Sequence, residues 1–599
     1  MENPAAPLPK LVLHPSTDRD SIDPTDIVKT WLKDLGEKIS RDRLEHISDL
    51  FIDDCWWRDI VGLSWNITTK YGTNEVSKYL LSQAISSGFG QFEVFDQGPL
   101  KPRLSDISGI IWIESGFSFK TKVGSGRGIV RLANVLPLKW KAWIVHTNLD
   151  GLNNFPERSP EGKSNPCETK DIQVLIIGAG QSGLALAAQL KSLNVNTLTV
   201  DKLPQLGGSW RDRYKIWKTI RSHTPRYTDL FPYVDYPSDY PQFLAQENLV
   251  SWMENYQKAM DLNVELGVTI DKIDYDDLSR QYTVRLKLQD GTEQIIAPHH
   301  LVLATGLFST TPTDPEFENK NSFAGQIYHS VNHKSADLFP DLGEKKVVVI
   351  GASTSAHDIA QDFVSCGAKN VTMIQRSPLF VVSAEALDKF LLASWQQMPI
   401  KDADLVGTSV PFPIALTLAL GATHMMAQHD AELLSRLEKA GLAIKRGEDG
   451  TGLLHHQLLK AGHFYIDQGA CDMIADGRIK IQRSREGAKG FDHNAVILGD
   501  DTRIEADIVV VATGFKRCSD MVEKIMGKEF AAKVGEVGGL DAEGERIAWW
   551  RPSAAPGFWY MTGSFIWSRT YSKPLALQIK AIEEGLNVDY YTNRKSWQE

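Results

Sequence analysis

Two strand-turn-helix segments constrain the fold of this chain more than any other feature. The apolar run Val174–Ile177 leads into the turn 178–183 (GAGQSG), and a helical pattern follows it. A second apolar run at 347–350 opens a similar turn over 351–356 (GASTSA). Glycines permit a tight turn and close backbone approach, and the helix N-terminus attracts a pyrophosphate. The sequence therefore predicts two dinucleotide-binding units, and two nucleotides on one chain indicate electron transfer.

The residue that ends the next strand distinguishes the two turns. Asp201 ends the apolar run after the first turn, at about the spacing expected of such a unit. Its carboxylate can accept hydrogen bonds from ribose hydroxyls, so the first site is predicted to take FAD or NAD(H). Arg376 has the corresponding place after the second turn. A guanidinium pairs with phosphate through a two-pronged fork, which favours NADP(H), although a solvent-facing arginine is the alternative.

The second turn departs from the glycine pattern. Ser353 and Ala356 stand at two positions where the first turn has glycine. Each added side chain narrows the turn, because a glycine there allows the closest backbone approach. The motif therefore fixes the position of a nucleotide less tightly at the second site than at the first.

Composition excludes several classes of function. The chain has 599 residues, enough for about three domains of ordinary size. Its formal net charge of −10 argues against a nucleic-acid-binding surface. The five cysteines are odd in number and form no CxxC pair, which argues against a disulfide framework or a metal site. Residues 1–20 show no signal- or transit-peptide pattern, so we expect a cytoplasmic protein.

One apolar stretch needs a separate explanation. Residues 405–428 carry no charged side chain apart from histidine, but Pro411 and Pro413 interrupt them. A membrane-spanning helix needs about 20 predominantly apolar residues. We therefore predict a buried helix or the wall of a substrate entrance and no stable membrane span, with contact at one membrane face as the alternative.

Several motifs together resemble the flavin-containing monooxygenases of the YUCCA-like branch. They are the turn 178–183, the sequence GGSW at 207–210, the sequence FAGQIYH at 323–329, and two strands that each end in Ala-Thr-Gly, at 301–306 and 508–514. The resemblance covers about residues 171–586. It implies FAD at Gly178, Gly180, Ser182, Gly183 and Asp201, with Gly208 and Trp210 near the flavin. It also implies NADPH at Gly351, Ser353, Ala356 and Arg376.

The resemblance implies an NADPH-dependent monooxygenase of secondary metabolism. Such an enzyme inserts one oxygen atom from O2 into a small organic substrate through a flavin C4a-(hydro)peroxide. No catalytic side chain is assigned. His223 is a candidate for tuning that adduct, and a hydrogen-bonded loop histidine explains it equally well. His329 is expected to be structural, and His333 stands where the family has an aromatic residue and Baeyer–Villiger monooxygenases have tryptophan.

Three alternatives stay open at this point. The first is a flavin oxidase or reductase that uses NADPH without inserting oxygen, and the second is a Baeyer–Villiger monooxygenase. The third is a nucleotide-sensing binding protein, which would require loss of flavin binding. The expected partners are a small-molecule substrate and O2, with no nucleic acid, and a homodimer is compatible with the sequence.

The N-terminal part carries a second resemblance. Residues 50–59, the turn 126–128 and the strand at 140–145 resemble the nuclear-transport-factor-two-like cone fold. Asp53, Asp54 and Asp59 could act as acids or bases inside such a cone, but cap, turn and rim positions are the expected ones.

The predicted fold class is an α/β flavoprotein with Rossmann-like FAD and NADPH domains, preceded by a smaller α+β cone-fold domain. Helix patterns followed by alternating strands define the first domain, and a proline-rich segment follows it. The C-terminal segment 574–585, with proline near its start, is predicted to form a helix over the flavin domain. The predicted boundaries are a flexible N-terminus at 1–22, the cone-fold domain at 23–150, a linker at 151–170, the first part of the FAD domain at 171–343, the inserted NADPH domain at 344–502, and the second part of the FAD domain at 503–599.

Overall fold

The structure is a computed structural model. It describes residues 4–40, 44–107, 109–158, 172–211, 222–276, 278–306, 308–460, 462–517 and 519–591. Within these ranges the chain forms an N-terminal α+β unit and two parallel-sheet units with helices packed around them. Most of the predicted linker 151–170 lies outside the described residues, and its first two residues belong to strand Lys139–Leu152.

The N-terminal unit is built on a seven-stranded mixed sheet, called here the N-terminal sheet. Its strands follow the spatial order Ile67–Tyr71, Phe51–Ile60, Lys139–Leu152, Gly124–Leu136, Ile110–Lys120 and Gly90–Val94, and Arg103–Ile107 also pairs with Ile110–Lys120. Helices Pro24–Ser40 and Thr73–Ser87 cover one face. In the first helix, Val28, Trp31 and Leu35 are buried at the spacing of one helical face, which explains why it packs on the sheet.

The first parallel-sheet unit, called here the first Rossmann unit, follows. Its five strands have the order Val264–Leu266, Thr197–Asp201, Val174–Ile177, His300–Leu303 and Phe558–Tyr560. They are fully parallel, and buried apolar side chains on both faces explain their continuous apolar runs. Its other elements are the antiparallel strands Thr269–Asp276, Gln281–Lys287 and Glu293–Ile296 and the helices Gln181–Ser192, Gly208–Arg211, Gln246–Ala259 and Phe565–Glu583.

The second Rossmann unit is a five-stranded parallel sheet with the order Gln326–His329, Ile508–Val511, Lys346–Ile350, Asn370–Gln375 and Ile479–Arg483. This order corrects the predicted boundaries. The sequence assigned residues from 503 onward to the FAD domain, but Ile508–Val511 pairs with Lys346–Ile350 inside the second sheet. A buried strand ending in Ala-Thr-Gly has the same local pattern in both units, so only its pairing partners reveal which unit it joins. The second unit thus extends over about residues 326–511.

Further elements surround the second Rossmann unit. Strands Phe308–Pro312 and Phe515–Arg517 pair where the chain passes between the two units. Two more small sheets comprise Leu379–Ser383, Ile444–Lys445 and Phe464–Asp467, and Ala488–Phe491, Ala495–Leu498 and Arg503–Glu505. The remaining helices are Thr354–Ser365, Ala384–Leu387, Ala393–Gln397, Ile400–Thr408, Phe412–His429, Ala431–Lys439, Leu453–His455, Ala470–Ala475 and Ser519–Val534, the last interrupted at Gly527.

The C-terminal helix begins earlier than predicted. It spans Phe565–Glu583, so Pro574 lies in its interior and not in its first turn. A proline inside a helix removes one backbone hydrogen bond. The helix nevertheless packs along Gln181–Ser192 and buries most of its side chains, and this packing outweighs the missing bond.

The apolar stretch forms two helices joined at a sharp bend. Ile400–Thr408 and Phe412–His429, called here the bent helix pair, meet at an angle of 106°. The pair passes a length-and-composition test for a membrane span only when taken together. Among the described residues, no single helix is long and apolar enough to cross a membrane.

The N-terminal segment, predicted to be flexible, is packed where it is described. The amide of Ala6 donates to the carbonyl of Pro413 at 3.0 Å, and the Thr417 hydroxyl donates to the carbonyl of Ala6 at 2.6 Å. Leu11 is buried in a cluster with Ile414. The composition of this segment suggested flexibility, but its few apolar residues are placed against the bent helix pair, which no local pattern indicates.

A buried ion pair fastens the N-terminal sheet to the first Rossmann unit. The guanidinium of Arg58 donates from Nε and Nη2 to the two carboxylate oxygens of Glu545, at 2.7 and 2.9 Å. It also donates to the hydroxyl of Tyr571 and to the carbonyl of Thr408. Both charged side chains are at most 2 % exposed, so the contact is fully desolvated.

Candidate functional site

A cavity of about 1840 Å³ lies between the two Rossmann units and reaches the N-terminal sheet. Both glycine-rich turns and the N-terminal ends of helices Gln181–Ser192 and Thr354–Ser365 line it. The carboxyl ends of parallel strands are where open α/β sheets bind ligands. The two predicted nucleotide sites therefore open into one shared space.

The glycines of the first turn have different roles. A side chain at Gly178 would collide with the carbonyl of Ala304, and one at Gly183 would collide with the carbonyl of Gly178. A β-carbon at Gly180 would meet no protein atom within 4 Å. Gly178 and Gly183 are thus required by the turn itself, whereas Gly180 leaves open space in the cavity wall, where a pyrophosphate would approach the backbone.

Asp201 and Ser182 support the first turn as well as bordering the cavity. The carboxylate of Asp201 accepts the amide of Ala179 at 2.8 Å and the amide of Leu203 at 2.9 Å. The hydroxyl of Ser182 lies 2.7 Å from that of Ser568 on the C-terminal helix. Ser182 therefore fastens the turn to that helix.

The GGSW segment is divided between the cavity and the core. Gly208 lines the cavity, and a β-carbon there would collide with Leu203. Trp210 does not line the cavity. Its ring stacks on that of Phe565 with centroids 6.3 Å apart, and its carbonyl accepts the side chain of Gln246. Its contacts are therefore those of a packing residue, and its place near the flavin stays a prediction.

The second turn has side chains, with contacts of their own, at two positions where the first turn has glycine. Gly351 has a φ of +136° and lies against the carbonyl of Ala512, so this position requires glycine. The hydroxyl of Ser353 donates to the carbonyl of Phe464 and accepts the amide of His463, each at 3.2 Å. Ala356 is buried, and its methyl group joins the core of the second unit. Ser353 thus holds the segment around His463 beside the turn.

Basic side chains gather beside the second turn. Arg376, Lys460 and His463 all line the cavity. In the described part of the chain, neither Arg376 nor Lys460 forms an ion pair with a carboxylate. Burial lowers the pKa of His463, and the charges of Lys460 and Arg376 lower it further. This unneutralised charge suits a phosphate group.

Lys460 and His463 were not predicted from the sequence. They lie more than 80 residues after Arg376, on a different segment, and no local motif links them. The one available signal is that Lys460 and His463 belong to a histidine- and lysine-containing run at 455–463.

His223 lies in the cavity wall near acidic groups. Its Nδ1 is 2.8 Å from the carbonyl of Ile466, and its Nε2 is 3.6 Å from Asp358. Burial lowers the pKa of His223, but the Asp358 carboxylate and the Ile466 carbonyl outweigh burial and leave the pKa above its usual value. Asp229 also lines the cavity, and burial raises its pKa to about 6.

The two histidines of the FAGQIYH region make internal contacts. His329 accepts the amide of Val331 through Nδ1 and packs edge-on against Phe515. His333 is buried, with Nε2 2.9 Å from Asp362 and Nδ1 2.9 Å from the hydroxyl of Tyr328. The aromatic position of the family is thus filled by a hydrogen-bonded histidine.

The three aspartates singled out in the N-terminal unit, Asp53, Asp54 and Asp59, lie away from the cavity. Asp59 is buried and accepts hydrogen bonds from the amide of Leu63 and the hydroxyls of Tyr79 and Thr147. Asp53 and Asp54 are exposed at the start of the same strand. Asp59 therefore organises a turn, and none of the three lines the cavity.

The bent helix pair forms an apolar wall. Helix Phe412–His429 presents six side chains to the cavity: Phe412, Ala415, Leu418, Ala419, Ala422 and Met425. Leu418 and Met425 are 40 % and 44 % exposed, and both border this space. Apolar side chains here favour exclusion of water from the cavity.

Comparison with known proteins shows which proteins this chain resembles. Residues 172–401 match the model described as pyridine nucleotide-disulphide oxidoreductase. The chain is 27 % identical over 364 residues to the probable indole-3-pyruvate monooxygenase YUCCA8 of Arabidopsis thaliana, covering 60 % of this chain and 78 % of that protein. It is also 27 % identical over 347 residues to the indole-3-pyruvate monooxygenase YUCCA1 of Oryza sativa subsp. japonica, covering 57 % and 76 %.

Over about 60 % of its length, the chain is similar to flavin-dependent monooxygenases. The crystal structure of OTEMO in complex with FAD and NADP has the same fold, with a TM-score of 0.51 and 15 % identity over 72 % of this chain and 90 % of that one. The monooxygenase uses FAD and NADPH. The residues present fit both groups, because Gly180 leaves an open cradle at the first turn, and Arg376 at the second has no carboxylate partner among the described residues.

Proposed function

We propose that this monooxygenase inserts one oxygen atom from O2 into a small apolar organic molecule inside the cavity, in secondary metabolism. The observation that carries the proposal is that both nucleotide turns and one apolar wall border the same space. Bound FAD, once NADPH has reduced the flavin, would supply the activation of O2. Sharing one enclosed space lets substrate, flavin and nicotinamide meet without solvent between them.

The chain's own residues would bind, enclose and manage protons. Gly180 and the N-terminus of helix Gln181–Ser192 would hold the FAD pyrophosphate. Arg376 and Lys460 would hold the 2′-phosphate of NADPH. His223 would donate from Nδ1 to the carbonyl of Ile466, and its Nε2, 3.6 Å from Asp358, would carry the second proton when the ring is charged.

Disulfide reduction, the activity in the matching model's description, is disfavoured. That chemistry requires a pair of neighbouring cysteines. In the described residues the cysteines are Cys55, Cys366 and Cys471, and none of them lines the cavity. We therefore propose that the electrons from NADPH pass to O2.

The N-terminal unit is proposed to adopt the cone fold of the nuclear-transport-factor-two-like type. Its seven-stranded mixed sheet with two covering helices supports this assignment. Because helices Pro24–Ser40 and Thr73–Ser87 and apolar side chains fill the covered face, the opposite face is the one available to the cavity.

Oxygen insertion is tested with isotopically labelled O2. Purified enzyme, NADPH and labelled gas are incubated with a panel of amines, sulfides, ketones and 2-oxo acids, and products are analysed by mass spectrometry. We expect one labelled oxygen atom in the product of at least one substrate class. Release of all reducing equivalents as hydrogen peroxide with every substrate class would favour an oxidase.

Replacing Arg376 with alanine should weaken selection of NADPH. Loss of the charged hydrogen bonds to the 2′-phosphate is expected to raise KM for NADPH about tenfold to a hundredfold and to leave KM for NADH nearly unchanged. Steady-state oxidation of each nucleotide gives both constants. Arg478→Ala is a matched control, because that arginine lines neither of the two cavities that Arg376 borders. If the ratio of KM for NADH to KM for NADPH were the same in wild type and in Arg376→Ala, the assignment of Arg376 to the 2′-phosphate would be contradicted.

Replacing Asp358 with asparagine should shift the pH dependence of turnover. The raised pKa of His223 depends on the Asp358 carboxylate, so its removal lowers that pKa. The protonated form is lost as pH rises through the pKa, so the alkaline limb of the kcat profile should move to lower pH. His223→Gln should abolish that limb. An unchanged profile in both variants would show that His223 holds no relevant proton.

A further inference from the structure

The N-terminal sheet contributes polar side chains to the same cavity. Trp112, Glu114, Arg131 and Trp143 line it beside residues of the bent helix pair. All four lie on the central strands of the sheet, on the side opposite its covering helices. Since the N-terminal sheet holds neither glycine-rich turn, these side chains are available for something other than the cofactors.

Three hydrogen-bond donors here have no partner among the described residues. They are Nη1 of Arg131 and the indole Nε1 atoms of Trp112 and Trp143. The side chain of Arg131 is 5 % exposed, and the two indole rings meet edge to face with centroids 6.3 Å apart. Buried donors without partners cost free energy, so three together in a cavity wall indicate an acceptor group as ligand.

The charge at this place is positive. Arg131 donates from Nε to Glu114 at 2.7 Å, and from Nη2 to the hydroxyl of Ser409 at 2.9 Å. Arg103 donates to the other oxygen of Glu114, also at 2.7 Å. Two guanidinium groups thus share one carboxylate, which leaves an excess of one positive charge. An anionic acceptor would neutralise it.

We propose that Arg131, Trp112 and Trp143 form a subsite for the carboxylate of an apolar organic acid. The carboxylate would accept from Nη1 of Arg131 and from the two indole N–H groups. Its apolar part would lie against Val410, which lies in the bend between the two helices and packs in one cluster with Trp143. This inference rests on the proposed function, since it names the class of substrate, and it gives the N-terminal unit a role in selecting that substrate.

The test compares two probes that differ only in charge. Binding of 3-phenylpropionate and of its methyl ester to the FAD-loaded enzyme is measured by calorimetry. The wild type should bind the acid about tenfold to a hundredfold more tightly than the ester, as expected for hydrogen bonds to a charged group. Equal Kd values, or no binding of the acid, would overturn the proposal.

Variants then test which side chains cause the preference for the acid over the ester. The double variant Glu114→Gln/Arg131→Gln removes both buried charges together, so no unpaired charge remains between them, and should bring the two Kd values together. Trp112→Phe and Trp143→Phe keep the rings and should each weaken binding of the acid about threefold to tenfold. If the double variant still bound the acid more tightly than the ester, the assignment of this subsite would be contradicted.

A matched control lies on the same strand. Arg127 pairs with Asp150 and Asp402 but does not line the cavity, so Arg127→Gln should keep the preference for the acid. Loss of the preference in Arg127→Gln would show a general effect of strand charge and overturn the proposal. Flavin reduction by NADPH without probe is measured separately. A preference for the acid in an enzyme that NADPH does not reduce would support the subsite and contradict the proposed function.

Discussion

Replacing Gly180 with valine is expected to yield a folded protein that purifies without FAD. The residue has φ −78° and ψ −172°, an extended conformation that valine adopts readily. A β-carbon there meets no protein atom within 4 Å, so the fold has room for the new side chain. The isopropyl group would occupy the space through which the pyrophosphate reaches the helix N-terminus, and FAD affinity should fall at least about a hundredfold.

The measurement is the ratio of flavin to protein after purification, with circular dichroism to establish folding. Gly151→Val is the control, because a β-carbon at Gly151 also meets no atom within 4 Å, and this glycine lies outside the cavity. It should retain FAD. A Gly180→Val protein with a full complement of FAD would show that the first turn does not hold the flavin.

Replacing Arg58 with methionine is expected to cause the largest loss of stability. Glu545 would then be a buried carboxylate without its guanidinium partner, and breaking such a pair costs about 3–5 kcal/mol of the free energy of unfolding. Chemical denaturation measures this loss. The N-terminal sheet should detach first, because Arg58 fastens it to Glu545 and Tyr571 of the first Rossmann unit.

The double variant Arg58→Met/Glu545→Gln should recover much of the loss, since no buried charge remains and glutamine can still accept the hydroxyl of Thr69. As a control, Arg503→Met breaks an exposed pair with Asp492 and should cost less than about 1 kcal/mol. Similar losses for Arg58→Met and Arg503→Met would contradict the idea that the buried pair joins the units.

The sequence predicted the parts of the fold that depend on local patterns. Both glycine-rich turns, Asp201 and Arg376 lie where the strand-turn-helix pattern indicated, because neighbouring residues determine such turns. The strand Ile508–Val511 was assigned to the other unit, since its apolar run fits either sheet. The start of the C-terminal helix was missed because packing overrides the usual position of Pro574.

The candidate site was only partly predictable for a related reason. Lys460 and His463 reach the second turn through the fold, and Arg131 reaches the cavity from a separate unit. No spacing rule joins residues so far apart in the chain. Ser353 was seen as a departure from the motif, and only the structure gives it a partner, the segment at Phe464.

The most direct test of the account is anaerobic titration of the purified enzyme with NADPH, followed by mixing with oxygenated buffer, while the visible absorption of the flavin is recorded. We expect stoichiometric FAD that NADPH bleaches far faster than NADH does, and reoxidation of the flavin once O2 is admitted. A protein without bound flavin, or a flavin that NADPH leaves oxidised, would contradict the claim that the two Rossmann units pass electrons from NADPH to FAD.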